Sequence, residues 1–346
     1  MRYPLPMPFG WFQVAWPDEV PAGKAVPLYY FGRHLVAWRG EEGTPHLMDA
    51  FCPHLGSHLG YGLGEDGSHG GNVSGCNLVC PLHNWVFDGD GNVVEVPYSE
   101  RLNKRAKVRS YPVVERNGAM FAWYHPTDEA PKWEIPEVPE LNDHPEFTKT
   151  YRKHYKVKTH WQEIAETVAD AAHVQQHLVE FEKNLGIEPG TSPKPKVEEY
   201  STTFPDSRMR FYQPFPTPRG LVEGRIDTDS CGPGHAVTWF TGLVDTITLG
   251  CAIPVDQDTT ELRMTFAVRD LGDEALTTSV AEAFVEGIAG QTVEDVPIWE
   301  NKAYVVKPAL SDADGPIMKF RKWAAQFYAE GLDHIDRDQY EPAAPV

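Results

Sequence analysis

Two short segments of the sequence each combine a cysteine, a proline and a histidine. The first reads Cys52-Pro53-His54 and the second reads Cys80-Pro81-Leu82-His83. Two thiolates and two imidazoles match the ligands of a Rieske-type 2Fe-2S cluster, in which two histidines replace two cysteines on one iron. The proline after each cysteine fixes φ and removes an N–H, which favours a rigid turn. A zinc site could use the same residue types, but zinc fingers pair cysteine with cysteine and histidine with histidine, so the pattern favours the iron–sulfur cluster.

A second group of acidic and histidine residues lies about 90 positions further on. Its members are spaced four, three and four apart: Glu166, Asp170, His173 and His177. The pattern predicts a helix from Thr159 to about Val179, which would place all four side chains on one face. Two neutral imidazoles one turn apart can bind one metal ion, and an adjacent carboxylate can orient one ring. The alternative is a solvated helix face. Because a cluster that carries one electron needs an acceptor, the first group favours a metal site here.

The chain resembles the Rieske non-heme iron ring-hydroxylating oxygenases, and among them most the 3-ketosteroid 9-alpha-hydroxylase oxygenases and the sterol 7-desaturases. The cluster segments carry the resemblance as Cys-Pro-His-Leu-Gly and Cys-Pro-Leu-His-Asn-Trp-x-Phe-Asp-Gly-x-Gly. Further matching segments are Gly10-Trp11-Phe12, Pro131-x-Trp133-x-Ile135-Pro136-Glu137 and Glu294-Asp295-Val296-Pro297-Ile298-Trp299.

Two features of the first region depart from the family pattern. The family has His-Gly-Trp or His-Asp-Trp in the second loop, and this chain has His83-Asn84-Trp85. The connection between His54 and Cys80 is also longer than the family's, with a Gly-rich stretch from Gly62 to Gly75 that we expect to be a surface excursion.

The resemblance implies a mononuclear Fe2+ centre with a facial triad of two histidines and one carboxylate, which leaves positions open for O2. It implies that His173 and His177 are the imidazole ligands, that Asp295 is the carboxylate ligand and that Asp170 is an electron-transfer bridge. The family has four or five residues between the two histidines, whereas this chain has three. Glu294, next to Asp295, is the competing carboxylate.

The resemblance also implies an enzyme, the terminal oxygenase of a multicomponent Rieske monooxygenase. Its electrons would come from a flavin/iron–sulfur reductase that uses NADH or NADPH, or from a ferredoxin. Its assembly would be a homotrimer in which Asp170 links the cluster of one chain to the iron of the next. The substrate would be a small apolar, steroid-like polycyclic compound. Alternatives are a sterol-type desaturase or an oxidative demethylase on the same iron, and, from another class, a Rieske ferredoxin-like electron carrier.

Composition and charge restrict the partners and the compartment. The 346 residues are 41% apolar and 23% charged, as expected for a globular protein long enough for two domains. A formal net charge of −19 argues against nucleic acid, a polyanion, as a partner. Five cysteines, an odd number, predict a reducing, cytoplasmic location, and we expect neither a signal peptide nor a membrane span.

Cys76 could compete with Cys80 as a ligand, but we expect it to be a buried small apolar residue.

One basic segment stands out in this acidic chain. It follows the second cluster segment and contains Arg101, Lys104, Arg105, Lys107 and Arg109. It is either a solvated face or a docking patch for an acidic electron donor.

The pattern of elements predicts an α+β protein. Short β-prone runs and turn signals, including a hairpin turn at 88–92, indicate an all-β Rieske domain over residues 1–130. A Pro-rich connection at 126–146 precedes a catalytic domain at 147–335, in which helices flank an antiparallel sheet in a helix-grip arrangement. Helices are predicted at 275–288, 293–302 and 317–328, and residues 336–346 form a tail.

Overall fold

The computed structural model describes residues 2–62, 70–184, 186–217 and 219–332. The chain separates into two compact units, one made of residues 11–132 and a larger one made of residues 1–10 and 133–346. The predicted tail lies outside the described residues, as do residues 63–69 of the predicted Gly-rich excursion. No helix in the described ranges has both the length and the apolar character needed to cross a bilayer.

Among its described residues, the smaller unit contains strands and one short 3-10 helix, at Pro17–Glu19. Its strands are β1 Gly10–Ala15, β2 Lys24–Tyr30, β3 Arg33–Arg39, β4 Pro45–Asp49, β5 Gly71–Ser74, β6 Asn77–Val79, β7 Val86–Phe87, β8 Val93–Glu95, β9 Ser110–Tyr111, β10 Val113–Arg116 and β11 Ala119–Tyr124. They form a three-stranded sheet in the order β1-β11-β10 and an eight-stranded sheet in the order β8-β7-β6-β5-β2-β3-β4-β9. The predicted all-β domain is confirmed.

The predicted hairpin turn at 88–92 joins β7 to β8. Asp88 N donates to Asn92 O at 3.0 Å, and the Asp88 carboxylate accepts from the main-chain N–H groups of Asp90 and Asn92 at 3.0 and 2.8 Å. An aspartate that binds the main chain of the following residues is a typical turn-forming device. This turn fixes the β7–β8 pair directly after the second cluster segment.

The larger unit contains an antiparallel sheet of seven strands in the order β12-β20-β19-β18-β17-β14-β13, and a separate pair, β15-β16. The strands are β12 Tyr151–Val157, β13 Lys196–Thr202, β14 Asp206–Tyr212, β15 Phe215–Thr217, β16 Gly220–Val222, β17 Arg225–Cys231, β18 Ala236–Thr241, β19 Thr246–Pro254 and β20 Thr260–Val268. The helices are α1 Trp161–Ala165, α2 Ala171–Asn184, α3 Glu274–Asn301 and α4 Ile317–Ala324, with 3-10 segments at Pro139–Leu141, Glu166–Ala169 and Ala325–Phe327. The predicted α+β class is therefore confirmed.

Residues 1–10 belong to the larger unit, although the sequence placed them with the N-terminal strands. Phe9 N donates to Phe327 O at 2.8 Å, and the Tyr3 hydroxyl bonds the Thr159 hydroxyl at 2.8 Å. Tyr3 is fully buried, so this segment is a packed part of the larger unit.

Helix α3 lies against the sheet along one stripe of buried residues. Its first turn is capped by Asp273, whose side chain accepts from Leu276 N at 2.8 Å. Ala281 and Val285 pack on Phe266 and Val268 of β20. The same stripe continues through Thr292, Asp295 and Trp299, all buried. The sequence predicted two helices at 275–288 and 293–302, whereas the structure has one continuous helix.

The predicted helix from Thr159 to Val179 is wrong in its continuity. The chain forms α1, then a 3-10 segment, and leaves the helical conformation at Asp170, which has φ −97° and ψ 93°. Helix α2 begins only at Ala171. Asp170 can end one segment and cap the next because its short carboxylate bonds main-chain N–H groups outside the helix.

Candidate metal centres

The two cysteine–histidine segments form loops with the same hydrogen-bond pattern. In the first, Cys52 N donates to Ser57 O and Gly56 N donates to Cys52 O, both at 2.9 Å. In the second, Cys80 N donates to Trp85 O at 2.8 Å and Asn84 N donates to Cys80 O at 3.0 Å. The first loop follows β4 within three residues and the second follows β6 directly, and the 4.8 Å between the ring centroids of His54 and His83 shows that the two loops lie side by side.

The two cysteines occupy the buried end of this arrangement. Cys52 and Cys80 are 3% and 1% exposed and pack in the core with Trp38, Leu78 and Phe87. Both are free thiols, and they are hydrogen-bonded to each other. The hydrogen bond from the Cys52 thiol lowers the pKa of Cys80, and the main-chain N–H groups of Leu82 and His83 lower it further. The same hydrogen bond raises the pKa of Cys52.

The two histidines form the outer end. The rings of His54 and His83 lie 4.8 Å apart between centroids at 67°, and both residues are half-buried. Trp85 stacks on His54 at 4.6 Å and 8°, and its indole N–H donates to the Tyr98 hydroxyl at 2.7 Å. The Nδ1 atom of His83 is buried without a hydrogen-bond partner among the described residues. A buried nitrogen of this kind normally has a partner, so the donor set fits a bound 2Fe-2S cluster.

Cys76, which we expected to be buried, is exposed. It lies in the two-residue turn Gly75-Cys76 between β5 and β6, where Ser74 pairs with Asn77. A turn residue points to solvent because its neighbours face each other across the hairpin. Cys76 therefore takes no part in the core that holds Cys52 and Cys80.

The larger unit brings together two histidines of α2 and one aspartate of α3. The Nε2 atoms of His173 and His177 are 3.0 Å apart, and Asp295 Oδ2 lies 3.2 and 3.3 Å from them. The two imidazole rings are nearly perpendicular, at 87°. Three donor atoms bound to one ion at ~2.1 Å and at right angles to each other would lie ~3.0 Å apart. The donor set and its spacing fit one divalent metal ion.

Burial and charge in this triad favour a cation. Burial alone would raise the pKa of Asp295, but hydrogen bonds with His173 and His177 outweigh it and hold that pKa below its usual value. Burial would lower the pKa of His173, yet the bond to Asp295 raises it overall. A buried carboxylate that stays charged against two imidazoles can be neutralised by a metal ion in the same place.

Glu294, the competing carboxylate, lies outside this triangle. Its nearest approach is 3.8 Å, to Nδ1 of His177, and its side chain is 58% exposed, against 9% for Asp295. Adjacent residues of a helix point in directions about 100° apart, so Asp295 reaches both Nε2 atoms whereas Glu294 lies beside the outer nitrogen of His177 only.

Glu166 does not share a face with the histidines, contrary to the sequence prediction. It precedes the break at Asp170 and forms a two-pronged ion pair with Arg321 of α4, at 2.6 and 2.9 Å. Sequence reasoning missed Arg321 because it lies 155 positions away and belongs to no local motif. The pair fastens the segment that immediately precedes α2, the helix that carries His173 and His177.

Asp170 serves as the cap of α2. Its Oδ1 atom accepts a hydrogen bond from His173 N at 3.1 Å. This contact satisfies one of the free N–H groups of the first turn and so fixes where the helix that carries both histidines begins.

Comparisons with family models and with individual proteins cover both units of the chain. Residues 122–328 match the family model of the 3-ketosteroid 9alpha-hydroxylase C-terminal domain, and residues 10–112 match that of the Rieske [2Fe-2S] domain. The chain is 30% identical to cholesterol 7-desaturase of Caenorhabditis elegans, over 97% of this chain and 80% of that protein. It is 28% identical to a 3-ketosteroid-9-alpha-monooxygenase oxygenase component of Rhodococcus rhodochrous, over 94% of this chain and 82% of that protein. Dicamba monooxygenase bound to dicamba has the same fold, with a TM-score of 0.69 at 18% identity, over 92% of this chain and 96% of that one.

Proposed function

Because the chain belongs to the family of Rieske oxygenases with a 3-ketosteroid 9alpha-hydroxylase C-terminal domain, we propose that it hydroxylates a rigid, apolar, steroid-like ring compound. It is an oxidoreductase of the Rieske oxygenase type and uses a 2Fe-2S cluster, a mononuclear iron and O2. The match to the Rieske domain rules out the zinc alternative for the first site.

One observation carries the assignment to the terminal oxygenase. The same chain holds a cluster-type set of two cysteines and two histidines in one unit, and the His173, His177 and Asp295 triad in the other. A ferredoxin-like carrier has no use for the second set. When bound, the cluster supplies single electrons and the Fe2+ supplies open positions for O2.

The roles of the chain's own residues follow from their contacts. We assign Cys52, His54, Cys80 and His83 as the cluster ligands and His173, His177 and Asp295 as the iron ligands. The loops around the cysteines direct the main-chain N–H groups of residues 54, 55, 82 and 83 at the two sulfur atoms, and such bonds tune the reduction potential of a cluster. Asp295 lies within hydrogen-bond range of both imidazoles and so holds their Nε2 atoms directed at the same point.

The partners belong to the same proposal. Electrons come from a separate reductase or ferredoxin, as expected for the oxygenase component of a multicomponent system. We propose that an acidic donor docks on the exposed Lys104, Arg105 and Lys107.

We further propose a homotrimer in which Asp170 bridges the cluster of one subunit and the iron of the next, supported by the family resemblance. Five free cysteines support a reducing, cytoplasmic location.

The experiment that tests this function combines metal content with product analysis. We expect about three irons per chain, two in the cluster and one mononuclear. With a surrogate reductase and NADH, and 18O2 as the oxygen source, a ketosteroid should gain one labelled oxygen atom. About two irons per chain, with electron transfer but no product, would mean that the protein is a carrier.

A sterol-type desaturation is the second candidate, since the chain is 30% identical to cholesterol 7-desaturase over nearly its whole length. Both reactions begin at a C–H bond beside the iron. A product that has lost two hydrogen atoms and contains no 18O would support desaturation instead of hydroxylation.

A further inference from the structure

One face of the seven-stranded sheet is turned toward α3. Phe266 of β20 packs on Ala281 and Val285 of α3, and Thr292 of the same helix stripe donates to the sulfur of Met264 at 3.8 Å. Alternate residues of a strand share a face, so the even-numbered residues of β20 form the helix side of the sheet. Asp295 lies one helical turn beyond Thr292 on the same buried stripe. The iron ligand therefore stands over this face.

Three threonines form a row across the middle of this face. Thr228, Thr238 and Thr248 are direct partners on the adjacent strands β17, β18 and β19, and Thr248 is in turn the partner of Phe266. Side chains of directly paired residues stand on the same face. Because neighbouring strands are about 4.8 Å apart, the row spans roughly 10 Å. Three hydroxyl groups thus lie side by side across the middle of this face.

The hydroxyl at one end of the row lacks a partner. Thr228 and Thr238 bond each other through their Oγ1 atoms at 2.9 Å. Thr248 is only 4% exposed, and its Oγ1 has no hydrogen-bond partner in the described part of the chain. A buried hydroxyl without a partner costs free energy, roughly 1–3 kcal/mol in proteins. Its place on the helix side suggests that a ligand supplies the missing partner.

A second row lies next to the threonine row, two residues away from it on each strand, and leaves room for such a ligand. It consists of small residues paired in register: Ser207, Ser230, Ala236 and Gly250. Ala236, Thr238 and Gly250 keep part of their surface accessible although they lie on central strands of the sheet. A Cβ atom built on Gly250 would meet only Ala236 O, at 3.9 Å. The row ends at Met264, the residue in contact with Thr292.

We propose that the substrate lies on the row of small residues and that its oxygen-bearing end, a ring ketone or hydroxyl, binds the Thr248 hydroxyl. This inference rests on the proposed function and specifies the chemistry of its substrate. A flat ring system fits a floor without bulky side chains, and a threonine hydroxyl can donate to a ketone or accept from an alcohol. Thr248 is then a specificity-determining residue, which selects oxygenated ring compounds over plain hydrocarbons.

The test compares Thr248→Val with Thr246→Val in the metal-loaded enzyme, kept without O2 so that no turnover occurs. Thr246 stands on the same face of β19, but its hydroxyl already donates to Val244 O at 3.3 Å. Equilibrium dialysis measures the binding of 5α-androstan-3-one, 5α-androstan-17-one and the hydrocarbon 5α-androstane. Thr248→Val should weaken the binding of at least one of the two ketones by about tenfold, which corresponds to the loss of one hydrogen bond. It should change the binding of the hydrocarbon by no more than about twofold. Thr246→Val should change neither.

The role of Thr248 would be overturned if the Thr248→Val variant lost the same affinity for a ketone as for the hydrocarbon, or lost no affinity for either ketone. A parallel pair, 2-decalone and decalin, separates this inference from the steroid assignment. If no steroid binds the parent but 2-decalone binds in a manner that depends on Thr248, the inference holds and the steroid assignment fails. If neither size of ketone binds the parent enzyme, the inference is wrong.

Unfolding supplies a second readout that a structural threonine would not give. Without substrate, Thr248→Val removes an unpaired buried hydroxyl, so its denaturation midpoint should equal or exceed that of the parent. Thr246→Val loses an existing hydrogen bond and should unfold at a lower midpoint. A clear fall in the midpoint of Thr248→Val would show that its hydroxyl serves the fold, and would overturn the proposal.

Discussion

Gly56 and Asn84 occupy equivalent positions in the two loops that we assign to the cluster. Each is the fourth residue after a cysteine, and each donates its main-chain N–H to the carbonyl of that cysteine, at 2.9 and 3.0 Å. Both have positive φ, 77° at Gly56 and 57° at Asn84. Glycine adopts this conformation freely, and asparagine is among the few other residues that tolerate it. The departure from His-Gly-Trp to His83-Asn84-Trp85 therefore keeps the backbone of the second loop.

The first prediction concerns this conformation. Asn84→Gly should load a full cluster, with a free energy of unfolding within about 0.5 kcal/mol of the parent. Asn84→Val should cost about 1–2 kcal/mol and reduce cluster content, because a β-branched residue is strained at positive φ. Visible absorption per chain and its loss on heating measure both effects. The matched pair Gly56→Asn and Gly56→Val should behave in the same way, and equal behaviour of Asn and Val at either position would contradict the argument.

How far the sequence could predict the structure depends on the distance between the residues involved. The cluster segments are continuous, so the residue types and spacing predicted both loops. The break at Asp170 escaped prediction, because helical periodicity continues through it while one carboxylate caps the next helix. The Glu166–Arg321 pair and the threonine row depend on tertiary packing and strand register, which a single sequence does not reveal. Asp295 entered through the family resemblance and not through any pattern near the histidines.

The second prediction separates the two adjacent carboxylates of α3. Asp295→Ala should lower the iron content from about three to about two per chain and leave the cluster spectrum unchanged, because only the mononuclear site loses a ligand. Glu294→Ala is the control, since its carboxylate is exposed and outside the triangle. Metal analysis with electron paramagnetic resonance of the reduced cluster measures both sites. If Glu294→Ala loses the iron and Asp295→Ala keeps it, the assignment is reversed.

The third prediction tests the corrected role of Glu166. Both side chains of the Glu166–Arg321 pair are only 10% exposed. Glu166→Gln should therefore lower the free energy of unfolding by about 3 kcal/mol, because it leaves a buried guanidinium without its charge partner. The double variant Glu166→Met/Arg321→Met should recover much of that loss. Folded protein of either variant should still bind about three irons per chain. Loss of iron without loss of stability would return Glu166 to the metal site.

The fourth prediction concerns the docking of the electron donor. Changing Lys104, Arg105 and Lys107 together to Gln should slow cluster reduction by an acidic donor and flatten its dependence on ionic strength, because long-range attraction acts on the association rate. Stopped-flow reduction at several salt concentrations measures the effect. The control removes the same number of charges from exposed lysines of the larger unit, Lys194, Lys196 and Lys319. Equal slowing in both triple variants would indicate a general charge effect and no docking patch.

The last prediction addresses Asp170, for which the structure provides a structural role beside the proposed electron-transfer role. Asparagine caps helices as well as aspartate does, so Asp170→Asn should keep the bond to His173 N, the start of α2 and about three irons per chain. It removes only the charge. If Asp170 bridges the two metal centres, product formation should fall by roughly 100-fold while the donor still reduces the cluster at the parent rate.

Two further variants complete that comparison. Asp170→Ala removes both the cap and the charge, so it should also lower the free energy of unfolding, by about 1 kcal/mol. Glu180→Gln removes a charge from the same helix at an exposed carboxylate paired with Lys183, and its turnover should match that of the parent. Turnover of Asp170→Asn within a few-fold of the parent would leave Asp170 as a helix cap alone. The electron would then reach the iron by a route that does not depend on this carboxylate.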